Sequence, residues 1–458
     1  MSPNFSRRRF LKNSSAIAAA SLGSVAGNRR LQANARKRLL GKRLDKLRTA
    51  HVGVGGMGAS DLGSVASHAE VEVAALCDVD ANSLAAAAAK HAGANTFRDF
   101  REMISEMGDT IDAVVVSTPD HTHAAAAMLA MLADKPVYCQ KPLTHEIFES
   151  RQLQVVAAEK NLVTQMGVQI HSLAVYKRAV KMIQDGVIGK VSQVHAWSNK
   201  NWGYDGDAAT EFTEAPDHLD WDLWLGTAPQ RPFAEKIYHP GNWRKYVDFG
   251  TGTLGDMGVH IFDTPFTALQ LTAPDWVQTD CRAPTDVGHP EKNVVEYQFP
   301  GTQFTTDTMT WKWYDGKFAP PAAADLGLPD GTQLPGQGSL FVGQLGQLLL
   351  PHIAEAKLFP ENDFKDYQPP EIESENHYHQ WIDACLGNGK TSMGFELAGP
   401  LTEALLLGVV ANRFPNQKLE WNSTELTVTN IEAANQLLAR DYRDGFQVNR
   451  LSAMAGTR

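Results

Sequence analysis

Short apolar segments alternate with helix-like segments between residues 49 and 168, and this alternation constrains the fold more than any other feature of the sequence. Fully apolar strands separated by helices are typical of a parallel sheet that is covered by helices on both faces. The predicted strands are 49–54, 71–77, 113–117, 136–139 and 162–168, and the predicted helices are 59–68, 81–91, 99–107, 123–133 and 147–159. The sequence therefore predicts an α/β fold with a doubly wound parallel sheet.

A glycine-rich turn follows the first predicted strand. Gly53, Gly55 and Gly58 occupy the first, third and sixth places of the pattern G-x-G-x-x-G, with Gly56 and Met57 between them. In dinucleotide-binding domains such glycines allow a tight turn, a close approach of the backbone to a pyrophosphate and close packing of the next helix. The pattern is weak when it occurs alone, because glycine-rich turns are common. Its place between a strand and a helix favours a cofactor-binding turn.

Asp78 ends the second predicted strand, twenty residues beyond Gly58. A carboxylate at this place can accept hydrogen bonds from the adenosine ribose and repels a 2′-phosphate, so we expect NAD in preference to NADP. The alternative is that Asp78 caps the helix that begins near Ala81. Residues 49–169 are thus predicted to form an NAD-binding Rossmann domain.

The pattern changes beyond residue 170, where a helix is predicted over 172–184 and β-rich segments appear. They cover 191–197, 293–299 and 305–313, and long connections such as 318–338 are rich in Gly, Pro and Asp. This pattern predicts an α+β second domain over residues 170–458 with a largely antiparallel open sheet. Further helices are predicted at 377–386, 397–413 and 430–442, the last of them amphipathic and packed back on the first domain.

Residues 1–48 contain thirteen Lys or Arg and a single acid, Asp45, although the whole chain has a net charge of -10. The remainder is therefore acidic, and an acidic body is a poor partner for nucleic acid, whose binding requires Lys and Arg. No apolar run approaches the roughly 20 residues of a membrane span. We therefore expect neither nucleic-acid binding nor a membrane span in the mature chain.

The basic segment resembles a twin-arginine export signal. Arg7, Arg8 and Arg9 precede Phe10-Leu11-Lys12, and a weakly apolar stretch and a small-x-small cleavage candidate at residues 33–35 follow. The alternative is a basic amphipathic arm. The sequence thus predicts a signal at residues 1–35, a basic linker at 36–48, transient contact with the Tat translocase and a periplasmic destination.

Polar residues follow two predicted strands of the first domain, where the ligand contacts of such sheets lie. They are Thr118, Pro119 and His123 after one strand and Gln140 and Lys141 after the next. Hydride transfer from a secondary alcohol requires a proton acceptor and a cation or donor near the developing oxygen charge. Lys141 can supply that cation, with Pro142 fixing the turn through a cis bond, or it can be a surface lysine before a helix.

Asp256 and His260 are four residues apart, which places both side chains on one face of a helix. A histidine beside a carboxylate has an oriented ring and can serve as a base near neutral pH. The same pair could form a structural hydrogen bond or ligate a metal. There is no convincing third ligand, and the four cysteines lack a paired spacing, so no metal is expected.

Aromatic and cationic residues before the Asp256 segment suit a sugar ligand, since rings pack on the C–H faces of sugars. Trp243 and Arg244 are the candidates, although core packing explains many aromatic residues as well. Gln169 and His171, which follow the last strand of the first domain, are weaker candidates for substrate binding.

Together these motifs resemble the family of glucose-fructose oxidoreductase, inositol dehydrogenase and MocA. The motifs that carry the resemblance are the glycine turn, Thr118-Pro119 with His123, Lys141-Pro142, and Asp256-Met257-Gly258-Val259-His260 with Asp263, and the resemblance runs from about residue 49 to residue 448. It implies an NAD-dependent oxidoreductase that acts on a secondary hydroxyl of a sugar, sugar derivative or cyclic polyol. It also implies His260 as proton acceptor, Asp256 as sugar ligand, and a dimer or tetramer.

One residue departs from the family pattern, because Gln140 stands where the family usually has glutamate. This departure keeps open a non-catalytic sugar-binding protein of the same fold. Export adds a further expectation: free NAD is scarce outside the cytoplasm, so the cofactor is expected to be tightly bound and recycled in place. A redox-neutral, NAD-dependent glycoside hydrolase satisfies this expectation as well as a sugar oxidoreductase does.

Overall fold

The computed structural model describes residues 46–451. The predicted twin-arginine signal at residues 1–35 and nearly all of the predicted linker lie outside the described residues. In the part of the chain that the structure describes, no helix has both the length and the apolar character needed to cross a membrane.

The first sheet has six strands, all parallel, and confirms the predicted doubly wound sheet. Its strands are β1 (Leu47–Val52), β2 (Val71–Cys77), β3 (Asn95–Phe97), β4 (Ala113–Val116), β5 (Val137–Cys139) and β6 (Thr164–Met166). The helices that connect them are α1 (Met57–Ala66), α2 (Ala81–Lys90), α3 (Phe100–Met107), α4 (Asp120–Leu132) and α5 (Ile147–Lys160). Strand β3 escapes sequence prediction, because it is a three-residue edge strand with two exposed residues.

The strand order is β3-β2-β1-β4-β5-β6, so the direction of winding reverses between β1 and β4. Ligands of open α/β sheets bind at such a reversal, beyond the carboxyl ends of the strands. The glycine turn follows β1, and the Thr118 turn follows β4. The fold therefore brings two predicted motifs to the same crevice.

The second sheet has nine strands in the order β13-β12-β11-β7-β10-β9-β8-β14-β15. They are β7 (Val191–Ser198), β8 (Trp276–Asp280), β9 (Asn293–Pro300), β10 (Thr305–Asp315), β11 (Gln337–Gly343), β12 (Gln347–Pro351), β13 (Lys357–Phe359), β14 (Leu419–Asn422) and β15 (Thr427–Val428). Neighbouring strands are antiparallel except for β7 and β10, which run parallel. The predicted largely antiparallel sheet is thus confirmed.

Five α-helices follow β6 in the part of the chain that the structure describes, and one of them packs on the centre of the second sheet. The helices after β6 are α6 (Ala174–Gln184), α7 (Trp221–Leu225), α8 (Val259–Leu269), α9 (His377–Cys385) and α10 (Phe395–Ala411). Helix α8 packs on the central strands, where the Phe262 ring lies 4.1 Å from the Trp311 ring. Because α8 directly follows the Asp256 segment, this packing fixes the segment at the junction of the two sheets.

The predicted helix over 430–442 is wrong. Only Glu432–Leu437 forms a short 3-10 helix, and irregular chain follows it. Ala434, Leu438 and Tyr442 are buried at a spacing of four residues, which mimics a helical face. The Asn435 amide instead bonds the backbone of Val428, and such local bonds compete with helix formation.

The last segment nevertheless packs back on the first domain, as predicted. The Leu438 carbonyl accepts a hydrogen bond from the Phe148 amide, and the Tyr442 hydroxyl donates to Glu149, both at the start of α5. Arg440 donates to the carbonyl of His121 in α4. The end of the described chain thus contacts both α4 and α5.

Candidate functional site

The glycine turn has no room for a side chain at two of its positions. A Cβ on Gly53, whose φ is +82°, would lie 2.6 Å from the Ser117 carbonyl oxygen, and one on Gly58 would lie 2.1 Å from the Gly53 oxygen. Gly56, with a φ of +50°, faces open space at the start of α1. The positive end of a helix and free amides beside open space suit a pyrophosphate, so these residues fit a dinucleotide.

Asp78 holds this turn. One carboxylate oxygen accepts from the Val54 and Gly55 amides at 2.8 and 3.1 Å, and the other accepts from the Asp80 amide at 2.9 Å. Burial raises the pKa of Asp78 although these amides oppose the rise. The cap of α2 is Asp80, which accepts from Asn82 and Ser83, so the alternative role of Asp78 as the helix cap is wrong.

The Thr118 turn is joined to the Lys141 loop by His123. The two ring nitrogens of this buried histidine lie 2.8 Å from the carbonyl oxygens of Thr118 and Pro142. Pro119 occupies the N-cap of α4, and the Lys141–Pro142 peptide is cis. Both ring nitrogens therefore face backbone oxygens and His123 joins the two loops, while its contact with the cofactor stays a prediction.

Gln140 is buried against a carboxylate of α1. Its side-chain amide donates to both oxygens of Asp61, at 3.1 and 2.9 Å, and its oxygen accepts from the Lys141 amide. Asp61 also accepts from the hydroxyls of Ser117 and Tyr378. Burial raises the pKa of Asp61, and the three side-chain hydrogen bonds oppose the rise. The sequence analysis missed Asp61, because a single acid in a helix carries no signal of burial.

Lys141 and Asp256 form the centre of the site. The ammonium of Lys141 donates to a carboxylate oxygen of Asp256 at 2.6 Å and to its backbone oxygen at 2.9 Å. Burial lowers the pKa of Lys141, and the charge of Asp256 opposes this effect. Burial alone would raise the pKa of Asp256, but Lys141 and Arg244 outweigh it and the pKa is lowered. The two domains are thus joined by a buried ion pair.

Arg244 extends this pair to a second carboxylate. Its guanidinium lies 3.5 Å from Asp256 and 3.6 Å from Asp120, which begins α4, and it stacks on the Trp243 ring with its carbon 4.3 Å from the ring centre. Asp120 also accepts from the Thr251 hydroxyl. The predicted substrate residues Trp243 and Arg244 therefore adjoin Lys141, and Asp120 is a further member of the cluster.

His260 lies beside this cluster but is not oriented by Asp256 through a hydrogen bond. Residues Leu254–Gly258 form a π-helical turn, so Asp256 lies in this turn and His260 lies in α8. Within residues 46–451, Nδ1 of His260 has no hydrogen-bond partner. Burial lowers the pKa of His260 well below its usual value, and the Lys141 charge adds to this. The charges of Asp256 and His260 act on each other without a hydrogen bond between the two side chains, and His260 is a neutral base candidate.

Gln169 and His171 belong to other clusters. Gln169 donates to the Tyr378 hydroxyl, in the network around Asp61. His171 pairs with Asp263 at 2.8 Å, and both line a separate cavity of about 270 Å³ between α6 and α8. Burial would lower the pKa of His171, but Asp263 outweighs it and the pKa is raised. Among the described residues no group of three or more His, Cys, Asp or Glu is arranged to hold a metal ion.

The site also contains a histidine that the sequence analysis missed. The ring of His352, just beyond β12, lies 6.0 Å from the ring of His260, and the charge of Lys200 acts on both. The sequence around His352 carries no motif, and 92 residues separate the two histidines. Only the packing of α8 against the second sheet brings them together.

Family models match both parts of the chain. Residues 47–168 match the model described as an oxidoreductase family with an NAD-binding Rossmann fold, and residues 173–297 match the C-terminal alpha/beta domain of an oxidoreductase family. The first match confirms the predicted NAD-binding Rossmann domain.

Three known proteins illustrate the likeness. Inositol 2-dehydrogenase 2 of Paenarthrobacter aurescens is 28% identical over 58% of this chain and 82% of its own length. Levoglucosan dehydrogenase of Pseudarthrobacter phenanthrenivorans is 25% identical over 42% of this chain and 43% of its own length. The solved WlbA dehydrogenase of Bordetella pertussis, in complex with NADH and UDP-GlcNAcA, has a TM-score of 0.58 at 16% identity and covers 82% of this chain and 99% of its own. The likeness to WlbA shows only that the two proteins share a fold.

Proposed function

Because this chain belongs to the Gfo/Idh/MocA family of oxidoreductases, we propose that it oxidises a secondary hydroxyl of a sugar, sugar derivative or cyclic polyol with NAD. The names of two relatives support this substrate class, since inositol and levoglucosan are both rich in secondary hydroxyls. The aromatic and cationic surface of Trp243 and Arg244 beside the central ion pair suits such a ligand.

One observation carries the proposal: Lys141, which follows β5 of the parallel sheet, forms an ion pair with Asp256 of the second domain, and its charge acts on His260. Lys141 follows β5, on the crevice side where the glycine turn fits a pyrophosphate. A substrate held between these groups would have its carbinol carbon near the nicotinamide, which accepts a hydride when it is bound.

The side chains then have distinct roles. The ammonium of Lys141 donates to the reacting oxygen and stabilises the negative charge that develops there. Neutral His260 can accept the hydroxyl proton. Asp256, held by Lys141 and Arg244, stays ionised and can accept a hydrogen bond from a neighbouring hydroxyl.

Turnover tests the proposal. We expect purified protein with NAD to reduce the cofactor when myo-inositol or levoglucosan is added, measured as NADH absorbance. Lys141→Met and His260→Ala should each lower kcat about 10²-fold or more, as for a general acid or base, with NAD affinity within a few-fold of the original. Full activity in both variants would refute these roles.

Two further proposals, export of the chain and tight binding of NAD, rest on the twin-arginine motif alone. We propose that the twin-arginine segment exports the chain with NAD already bound, so that purified protein carries the dinucleotide in a one-to-one ratio. Protein that arrives without a dinucleotide and binds NAD weakly would refute the tight binding. Release of the aglycone from an aryl glycoside, with no added electron acceptor, would favour the redox-neutral hydrolase instead.

A further inference from the structure

His352 faces the proposed site from the edge of the second sheet. It lies one residue beyond β12, its ring centre is 6.0 Å from that of His260, and the two rings are inclined by 49°. The charges of Lys141 and Lys200 both act on His352. His352 is partly exposed, so part of its ring can reach a ligand.

The tautomer of His352 is fixed by Tyr176 of α6. The Ile353 amide donates to the Tyr176 hydroxyl oxygen at 3.1 Å, and that oxygen lies 2.6 Å from Nδ1 of His352. The single hydroxyl hydrogen has no other acceptor among residues 46–451, so it is donated to Nδ1. Nδ1 is then an acceptor, and a neutral His352 carries its own hydrogen on Nε2.

The ring is neutral under ordinary conditions. Burial lowers the pKa of His352 to about 4, and the charges of Lys200 and Lys141 act in the same direction. No residue in the described range 46–451 forms a hydrogen bond with Nε2. The crevice thus contains an N–H donor that has a fixed direction and no partner within the chain.

We propose that His352 binds the substrate by donating its Nε2 hydrogen to an oxygen next to the reacting hydroxyl, and that Tyr176 is its positioning residue. This inference rests on the proposed function, because it assumes that the reacting hydroxyl lies between Lys141 and His260. It narrows the substrate class to compounds with a second oxygen adjacent to the oxidised carbon, which inositols and levoglucosan both possess.

Two amide variants distinguish a hydrogen bond donated by Nε2 of His352 from a contact in which the ring only packs against the substrate. In His352→Gln the amide nitrogen reaches about the position of Nε2, whereas in His352→Asn it stays near Nδ1. With myo-inositol and levoglucosan as probes, we expect His352→Asn to raise KM about tenfold, which corresponds to the loss of one hydrogen bond. We expect His352→Gln to raise KM by no more than about threefold, because its amide nitrogen can still donate from the position of Nε2. Equal KM values for the two variants would overturn the proposal.

Nitrogen NMR of histidine-labelled protein reads the tautomer directly. The wild type should give the pattern of an Nε2–H tautomer for His352, and Tyr176→Phe should give a mixture of tautomers and a raised KM. An Nδ1–H tautomer in the wild type would overturn the assignment, and so would an unchanged pattern in Tyr176→Phe. Thermal unfolding of Tyr176→Phe shows whether the variant is folded.

A binding readout separates this inference from the proposed function. If the wild type oxidises neither probe, the proposed function fails, but NAD-loaded protein can still be titrated with both compounds. The His352 resonances should then shift, while those of the buried His289, whose Nε2 bonds the Gly250 carbonyl, stay fixed. No shift of the His352 resonances with either compound would overturn the inference.

Discussion

The presence of glutamine at position 140 is explained by its contact with Asp61. The side-chain amide of Gln140 donates to both oxygens of that buried carboxylate, and its own oxygen holds the Lys141 backbone. A glutamate at position 140 would bring a second acid against Asp61 in a site where burial already raises the pKa of Asp61. The residue that departs from the family pattern therefore fits this chain, and the central pair of Lys141 and Asp256 is intact.

We therefore predict that Gln140→Glu lowers the free energy of unfolding by about 3 kcal/mol near pH 7, because one buried carboxylate loses its partner. The exchange of both groups in Gln140→Glu with Asp61→Asn should recover most of this loss. Urea unfolding of the two variants and the wild type measures it. A double variant no more stable than Gln140→Glu alone would show that the two side chains are not coupled.

Asp78 should determine the choice between NAD and NADP. Asp78→Asn keeps an acceptor for the turn amides but removes the charge that repels a 2′-phosphate. We expect the ratio of the NADP and NAD dissociation constants to fall about tenfold, equivalent to about 1.4 kcal/mol. Asp78→Ala, which also frees the Val54 and Gly55 amides, is the control and should weaken both cofactors. An unchanged ratio in Asp78→Asn contradicts the prediction.

Helix α8 is tied to the end of the parallel sheet by the pair of His171 and Asp263. His171 lies in the 3-10 turn Gln169–Ser172, directly after β6, and Asp263 lies in α8. Asp263 is nearly inaccessible, so His171 is its main charge partner. The pair fixes the angle at which α8, and with it His260, meets the first domain.

The raised pKa of His171 predicts a pH dependence with a defined sign. A histidine whose pKa is higher in the folded state stabilises the fold fully below its unfolded pKa of about 6.5, and this contribution is lost as the pH rises through the folded pKa. The wild type should thus lose stability relative to His171→Gln between about pH 6.5 and the folded pKa. Urea unfolding across this range measures the difference, and parallel curves would contradict the prediction.

At the scale of the whole molecule, several buried histidines have a lowered pKa, which is the opposite of the raised pKa of His171. Burial lowers the pKa of His51 to about 3 and those of His289 and His377 to about 4, and it lowers those of His121 and His260 well below their usual value. The folded chain keeps these rings neutral while the unfolded chain protonates them below about pH 6.5. Acid therefore favours the unfolded chain.

We predict that the stability contributed by these neutral histidines is fully present above about pH 6.5 and is lost as the pH is lowered toward 4. Each such histidine contributes a loss of up to about 1.4 kcal/mol per pH unit. Urea unfolding at pH 7.5 and pH 5 measures the total loss. In His51→Leu the free energy of unfolding should change less steeply with pH, by the contribution of about one proton. Equal stability of the wild type at the two pH values would contradict the prediction.

Sequence alone was enough to predict the parallel sheet, the glycine turn, the NAD-binding Rossmann domain and the order of the motifs along the chain. These features depend on periodicity and on residues close together in the chain, where apolar segments and glycines act locally. The same local reading failed at residues 430–442, where the spacing of Ala434, Leu438 and Tyr442 reflects packing on the core and not a helix.

The partners within the site follow instead from tertiary packing. Lys141 and Asp256 are 115 residues apart, Gln140 and Asp61 are 79 apart, and Tyr176 and His352 are 176 apart. No periodic pattern links such residues, because their contact depends on how the two sheets and α8 pack. Burial then sets the charge of each group, and burial is a property of the folded chain.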